Sequence, residues 1–317
     1  GWPVIADVLS GSRFLEGVVA HADWILQHAD IPEPERVLHF GGSLVSKRLG
    51  AWISTCRSED YVQVRKFPER LDPWGANPFV IRSGITAFLE ANQPEAREGW
   101  KPRWIAASQA VGDVLSEMLD ADGPLTEPSI ARIVASQIDF LFLGNSMPVR
   151  DVDSCAPANS AVTSPILGNR GASGIDGNIA TLAGACIGAD RPLIGLLGDL
   201  AVLHDLNSLP LLRDLPLKLV VINNDGGGIF RFLPLGIDAE TRERFWETPH
   251  GMDFRNAAAQ FGLEYHHPAT ARELTSLLRR PEQKSCLIEC STERAANHDL
   301  HREIARKVKS LELKWSD

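Results

Sequence analysis

Several features that would point to other protein classes are missing from this sequence. Its five cysteines, Cys56, Cys155, Cys186, Cys286 and Cys290, form no CxxC pair. That argues against a disulfide framework and for buried free thiols in a reducing compartment. No apolar run approaches the length of a membrane span, and the amino end carries no secretory apolar core. No membrane span and a cytoplasmic location are therefore expected. A formal charge of −9 argues against a nucleic-acid surface, where a basic face would be expected. There is no internal repeat, low-complexity tract or long charge block. No GxGxxG stands at a strand–helix junction, and GGSL at 41–44 is too weak a substitute to support a Rossmann-like nucleotide binder. A starting Met is also absent: the chain opens at Gly1, already inside what reads as a strand over 4–6, as expected of a processed or truncated product.

What remains has the composition of an ordinary globular protein, 44% apolar and 23% charged over 317 residues, long enough for two α/β domains with separate cores. Short apolar runs alternate with helical patterns. Strands are predicted over 37–40, 61–65, 139–143, 192–197, 217–222 and 285–289, with a weaker one at 161–163. Helices are predicted over 43–53, 79–89, 104–119, 130–136, 179–187, 200–213, 254–261, 270–278 and 300–313. In the helix over 104–119 the stripe Val111, Val114, Leu115 and Met118 faces the core. Such alternation indicates two doubly wound parallel sheets. The polar, Gly/Pro-containing stretch 120–128 is the best boundary, dividing the chain into residues 1–122 and 123–317.

The most informative stretch is LLGDLAVLHDLNSLPLLRDLPLKLVVINNDGGGIF, from Leu196 to Phe230. It reads as strand, helix, strand, and a helical crossover makes the two strands parallel, with carboxyl ends on one sheet edge. Asp199 ends the first strand and Asn223–Asn224 the second, 24 to 25 positions later. A carboxylate, an amide oxygen and a free loop carbonyl form a hard-cation site that suits Mg²⁺ completed by phosphate and water. From these residues alone, that reading stands level with an ordinary βαβ unit ending in polar loop residues.

Other motifs shift the balance. Gly198–Asp199 followed by Asn223–Asn224 resembles the signature with which thiamine diphosphate (ThDP) enzymes clamp Mg²⁺ on the cofactor's diphosphate. Leu200 replaces the usual third Gly, a departure characteristic of the 2-succinyl-5-enolpyruvyl-6-hydroxy-3-cyclohexene-1-carboxylate (SEPHCHC) synthase family. GWPVIADVLS, GGSLVSKRLG, GNSMPVRD, NRGASGIDG, GDLAVLHDLNSL, NNDGGGIFRFLP and STERAANHDLHREI are similar to segments of that family in linear order over nearly the whole chain. The resemblance implies the ThDP-enzyme fold, with 1–122 as a middle domain short of its first strand and helix and 123–317 as the diphosphate domain. It makes Asp199, Asn224 and the Gly226 carbonyl ligands of Mg²⁺, with Mn²⁺ as a substitute. The amino end of the helix at Leu200, beside Gly198, would face the diphosphate. Ile175 matches the residue that wedges beneath the cofactor, although alone it reads as core packing. Ile229, Phe230 and Leu233 match pocket-lining positions and could equally be core.

The family decarboxylates 2-oxoglutarate on ThDP and adds the resulting succinyl carbanion to isochorismate, in menaquinone and phylloquinone biosynthesis. Both substrates are dicarboxylates, and Lys47, Arg48, Arg150 and Arg170 match positions that contact them, with Ser146 as a hydrogen-bond partner of substrate or intermediate. His204 and His298 read as hydrogen-bonded structural residues. His266–His267 lacks a third ligand at zinc spacing. The resemblance further implies a pyrimidine-binding domain whose Glu acts on the cofactor, from the full-length protein or a second subunit of a homodimer or homotetramer. Without it, these 317 residues are expected to show little or no synthase activity. The alternatives are another ThDP synthase or lyase of the acetolactate-synthase type, which favours Gly after the Asp, or a non-catalytic ThDP-fold fragment.

Overall fold

The computed structural model describes residues 1–67, 72–92, 99–137, 140–158, 166–281 and 284–315. Its main sheet has five parallel strands, β6 (Leu141–Leu143), β7 (Leu193–Gly198), β8 (Leu217–Asn223), β9 (Glu264–His266) and β10 (Cys286–Ser291), ordered β6-β7-β8-β10-β9. A second parallel sheet joins β3 (Val37–Phe40), β4 (Tyr61–Arg65) and β5 (Phe79–Arg82) in sequence order, and β1 (Val4–Ile5) pairs with β2 (Val18–Val19).

Apolar residues on both faces of the main sheet explain its doubly wound form. Every residue of β8 is buried. Val220 and Ile222 pack towards the helices Glu127–Gln137, Met147–Cys155 and Ala271–Arg279; Leu217, Leu219 and Val221 pack oppositely, towards Asn178–Ala189 and Arg255–Phe261. Lys218, inside this strand, donates from Nζ to the carbonyls of Leu278 and Arg280, both at 2.6 Å, where its charge meets a helix's carboxyl end. A third core joins Trp104, Val111 and Leu115 of the helix Lys101–Leu119 to Ile304 and Val308 of the helix Arg294–Lys309. Val114 and Met118 lie at its margin, partly buried. All five cysteines are buried and free. No helix among the described residues is long and apolar enough to cross a membrane.

Several elements differ from the sequence expectation for local reasons. Residues 79–89 split into β5 and a helix, Ile85–Ala91, because the apolar residues 79–81 are followed by Arg82 and then Ser83–Gly84. The helix expected over 43–53 begins only at Lys47, where Ser46 Oγ caps it by accepting from Leu49 N at 3.0 Å. The helix expected over 200–213 is two pieces, α-helix Asp199–His204 and 3₁₀-helix Leu206–Leu212, with Pro210 unable to donate inside the latter. The last helix starts earlier than expected, at Arg294, because Glu293 caps the N–H groups of Ala295 and Ala296. Thr126 and Ser129 exchange hydrogen bonds at the start of Glu127–Gln137. The strand expected at 161–163 and Asp139 lie outside the described residues.

Candidate functional site

The carboxyl ends of β7 and β8 bring Asp199 and the Asn pair together. Asp199 is 2% exposed. Its Oδ1 accepts from Leu200 N at 2.6 Å, and Oδ2 accepts from Gly226 N at 2.8 Å and from His250 Nε2 at 3.1 Å. His250 Nδ1 accepts from Met252 N, so Nε2 carries the donated proton. Burial raises the Asp199 pKa, against the opposing effects of the Gly226 N–H, His250 and the Leu200 N–H.

The donor set can be tested against a hard cation by its spare lone pairs. A carboxylate offers about four acceptor sites, and three are used at Asp199. The Gly226 carbonyl accepts from Gly228 N at 3.1 Å and keeps its second lone pair. Asn224 Oδ1 is buried and has no hydrogen-bond partner among the described residues. A buried amide oxygen without a partner is costly unless something else fills the role. Three oxygens of these types fit Mg²⁺. Among the described residues no cluster of three His, Cys, Asp or Glu offers a competing metal site.

Neighbouring groups fix this cluster from several sides. Asn224 Nδ2 donates to Glu127 Oε1 at 2.7 Å, and Asn223 Nδ2 donates to Glu289 Oε1 at 2.7 Å. Burial, then Asp151, pushes the Glu127 carboxyl up to about 7. Gly226 adopts φ 133°, and a Cβ there would lie 2.2 Å from the Glu247 carbonyl oxygen, so only Gly fits. Arg294 Nη1 donates to the Asn224 carbonyl at 2.9 Å. The fully buried Glu247 carboxylate takes Arg231, Arg242 and Arg294 together, at 2.9, 2.7 and 3.2 Å. Sequence reasoning missed His250, Glu127, Glu247 and Arg294. Only Arg294 lay in a quoted motif, STERAANHDL, and the others carry no spacing signal because they approach from separate segments.

A second group gathers at the end of β6. Gly144 N donates to Leu196 O at 2.9 Å, which places this loop beside β7. Asn145 Nδ2 bridges the carbonyls of Asn169 and Gly174, and Asn145 Oδ1 accepts from Arg170 Nη1 at 2.7 Å. The motifs GNSMPVR and NRGASG are thereby joined through Asn145, a residue the sequence reading passed over. Ser146 holds φ 72° and ψ −133°, strained for a non-glycine residue, and its carbonyl accepts from Arg150 Nη1. Burial, then the charge of Arg170, lowers the Arg150 pKa. Neither arginine has a carboxylate within ion-pair distance among the described residues, an arrangement that suits an anionic ligand.

The remaining expected residues divide. Lys47 and Arg48 are exposed, and Arg48 pairs with Asp23, whose charge reaches Arg150. Ile175 is 38% exposed, which removes its core-packing alternative. Ile229, Phe230 and Leu233 are half-buried around the 3₁₀-helix Gly228–Phe232, Phe230 meeting Trp246 edge-on at 5.4 Å. Gly198 precedes the helix Asp199–His204, which at six residues is too short for much dipole, and its Leu200 N–H is already taken by Asp199. His204 is exposed without a hydrogen bond among the described residues, contrary to the structural role expected of it. His298 packs edge-on against Phe232 at 5.3 Å. His266 pairs with Glu264, and His267 with Ser291 Oγ.

One carboxyl beside this group carries a stability prediction. Asp153 Oδ1 accepts from Val8 N at 2.8 Å, tying the amino-terminal segment to the helix Met147–Cys155. Burial, then Asp7, pushes its pKa up to about 7 from 3.8. A raised folded-state pKa gives stability that is present below pH 3.8 and lost as pH rises through about 7. Asp153→Asn is therefore expected to stabilise by on the order of 2 kcal/mol at pH 8 and by almost nothing at pH 4. Thermal melts at both values check it; no gain at pH 8 contradicts the assignment.

Comparison with known proteins gives a consistent placement. A domain-family profile described as "Middle domain of thiamine pyrophosphate" matches residues 1–143. SEPHCHC synthase of Rubrobacter xylanophilus is 40% identical over 321 residues, covering 96% of this chain and 56% of that protein. The Salinibacter ruber synthase is 38% identical, covering 97% and 55%. A solved structure from Mycobacterium smegmatis, described as a candidate thiamin diphosphate-dependent enzyme, superposes with a TM-score of 0.57 at 14% identity, covering 82% of this chain and 48% of that one. That last likeness shows the fold, the α/β architecture of ThDP enzymes with parallel sheets. The chain spans about half the length of the curated relatives it matches, 56% and 55% for these two. With nearly its whole length aligned to such relatives, the chain belongs to the 2-succinyl-5-enolpyruvyl-6-hydroxy-3-cyclohexene-1-carboxylate synthase family.

Proposed function

We propose that this chain supplies the Mg²⁺–diphosphate half of a SEPHCHC synthase active site, residues 123–317 forming the diphosphate domain and 1–122 belonging to the middle domain. The observation that carries the reading is the buried, unpartnered Asn224 Oδ1, in the same loop as the Gly226 backbone that contacts Asp199. The reaction is the decarboxylation of 2-oxoglutarate and transfer of the succinyl unit to isochorismate, in the cytoplasm, as a step of menaquinone or phylloquinone biosynthesis. Bound ThDP supplies the electron sink for loss of CO₂, and Mg²⁺ anchors its diphosphate.

The chain's residues hold and orient. Asp199 Oδ1, which keeps one free lone pair, Asn224 Oδ1 and the Gly226 carbonyl would hold the cation, and Mn²⁺ can replace it. Ile175, exposed at the loop joined to Asn145, serves as the apolar wedge. Ile229 and Phe230 line the pocket and exclude water. Arg150 and Arg170 receive substrate carboxylates, with Lys47, Arg48 and Ser146 completing that polar surface. The aminopyrimidine partner, a Glu, comes from a pyrimidine-binding domain outside these 317 residues, in an assembly of two or four subunits. Titration calorimetry of the chain is expected to detect ThDP binding with Mg²⁺ and none with EDTA. With both substrates added, product formation is expected to stay at background. Mg²⁺-independent binding overturns the clamp, and robust turnover overturns the half-site assignment.

A further inference from the structure

The geometry points to Glu127 as a positioning residue that sets which end of the Asn224 amide faces the cation. The inference rests on the clamp reading above and extends it to a residue outside the ligand set. An Asn amide has one accepting and one donating end of nearly equal size, so packing alone does not choose between them. Only the oxygen can ligate a metal. An ionised carboxylate only accepts, so a Glu at hydrogen-bond distance must draw the NH₂ towards itself. Asn224 Nδ2 lies 2.7 Å from Glu127 Oε1, and Oδ1 is left buried and free. The bond is buried and links residues 97 positions apart, so water cannot substitute for the carboxylate.

Glu127 is itself held in place. It is 1% exposed and begins the helix Glu127–Gln137, where an acid meets the positive end of the helix. The Thr126–Ser129 exchange fixes that helix start. Behind it, His301 places Nδ1 2.9 Å from the Asn297 carbonyl and Nε2 3.0 Å from Asp151 Oδ1. Both partners accept, so both ring nitrogens donate to them, and the resulting imidazolium offsets the neighbouring carboxylates. On the far side of the Asn pair, Glu289 orients Asn223 in the same way, but Asn223 Oδ1 is occupied by Asp225 N at 3.1 Å. Of the two amide oxygens, that of Asn224 is therefore the one with no competing donor among the described residues.

The test is Mn²⁺ affinity in the presence of ThDP at pH 8, read by electron paramagnetic resonance of free Mn²⁺. Glu127→Gln keeps the volume but can pair with either end of the amide, and is expected to weaken Mn²⁺ about 10- to 100-fold, as loss of a ligand-orienting partner does. In the double variant Glu127→Gln with Asn224→Asp, the introduced amide donates to one oxygen of the introduced carboxylate and leaves the other for the cation. Affinity is expected to return to within a few fold of the parent, which a mere folding defect at position 127 would not allow. Asp151→Asn removes a nearby charge without touching the bond between Glu127 and Asn224 and is expected to change affinity by less than about threefold. Parent-like affinity in Glu127→Gln overturns the proposal, as does an equal loss in Asp151→Asn. If the parent and Asp199→Ala bind Mn²⁺ alike, the clamp reading itself fails, an outcome separate from either.

Discussion

Replacing Asp199 by Ala is expected to lower Mg²⁺-dependent ThDP affinity by at least about 100-fold while leaving the melting temperature of the ligand-free chain unchanged or higher. The binding loss follows because Asp199 is the only carboxylate in the proposed ligand set, and a hard divalent cation depends on charged oxygen ligands. The stability result follows from the same burial. Asp199 is 2% exposed, and desolvation, the largest influence on its pKa, disfavours its charged form. Ala removes that cost, but leaves the Leu200 and Gly226 N–H groups and His250 Nε2–H without their acceptor. These effects are each about 1–3 kcal/mol and opposed in sign. Calorimetric titration and a thermal melt on one preparation separate the two. Lost affinity accompanied by a large drop in melting temperature would make Asp199 a structural residue instead.

Glu247→Ala is expected to act the other way, chiefly on stability. The Glu247 side chain is 0% exposed and draws three guanidinium groups together. Breaking a buried ion pair by removing one partner costs about 3–5 kcal/mol, because the opposite charge is stranded. Arg231 and Arg242 are 21% and 26% exposed and can turn towards water, so the lower figure, about 3 kcal/mol, applies. The effect extends to the clamp. The Glu247 carbonyl accepts from Gly227 N at 2.7 Å, and Arg294 holds the Asn224 carbonyl. Loosening that segment lets the Asn224–Gly227 backbone shift, so weaker Mg²⁺ affinity should accompany the lower denaturation midpoint. Glu247→Gln keeps the acceptor and shape and should lie between. Unchanged denaturation midpoints in both variants would show that the three arginines need no shared partner.

The local chemistry of β3, β4, β7, β8 and the Asp199–Asn224 pairing was legible because it is carried by short-range pattern. A β-branched apolar run buried on both faces has few alternatives, and parallel strands joined by a crossover must open on one edge. Elements were misread where a single residue overrode periodicity, as with Ser46 capping Lys47–Ile53 and Pro210 breaking the segment after His204. Ile175, Ile229 and Phe230, proposed here as wedge and pocket residues, were singled out through motif likeness; their apolar character alone does not separate surface from core.

What the sequence determined by itself is thus the sheet edge and the oxygen types presented there. Tertiary structure decided which of those oxygens are free. Glu127, 97 positions from Asn224, turns the amide; His250, 51 positions from Asp199, occupies one lone pair; Glu247 and Arg294 brace the backbone between them. None of these partners is fixed by periodicity, because a side-chain hydrogen bond between distant segments leaves no repeating trace in the chain. It exists only once the helices Glu127–Gln137 and Arg294–Lys309 have packed beside the loop that follows β8.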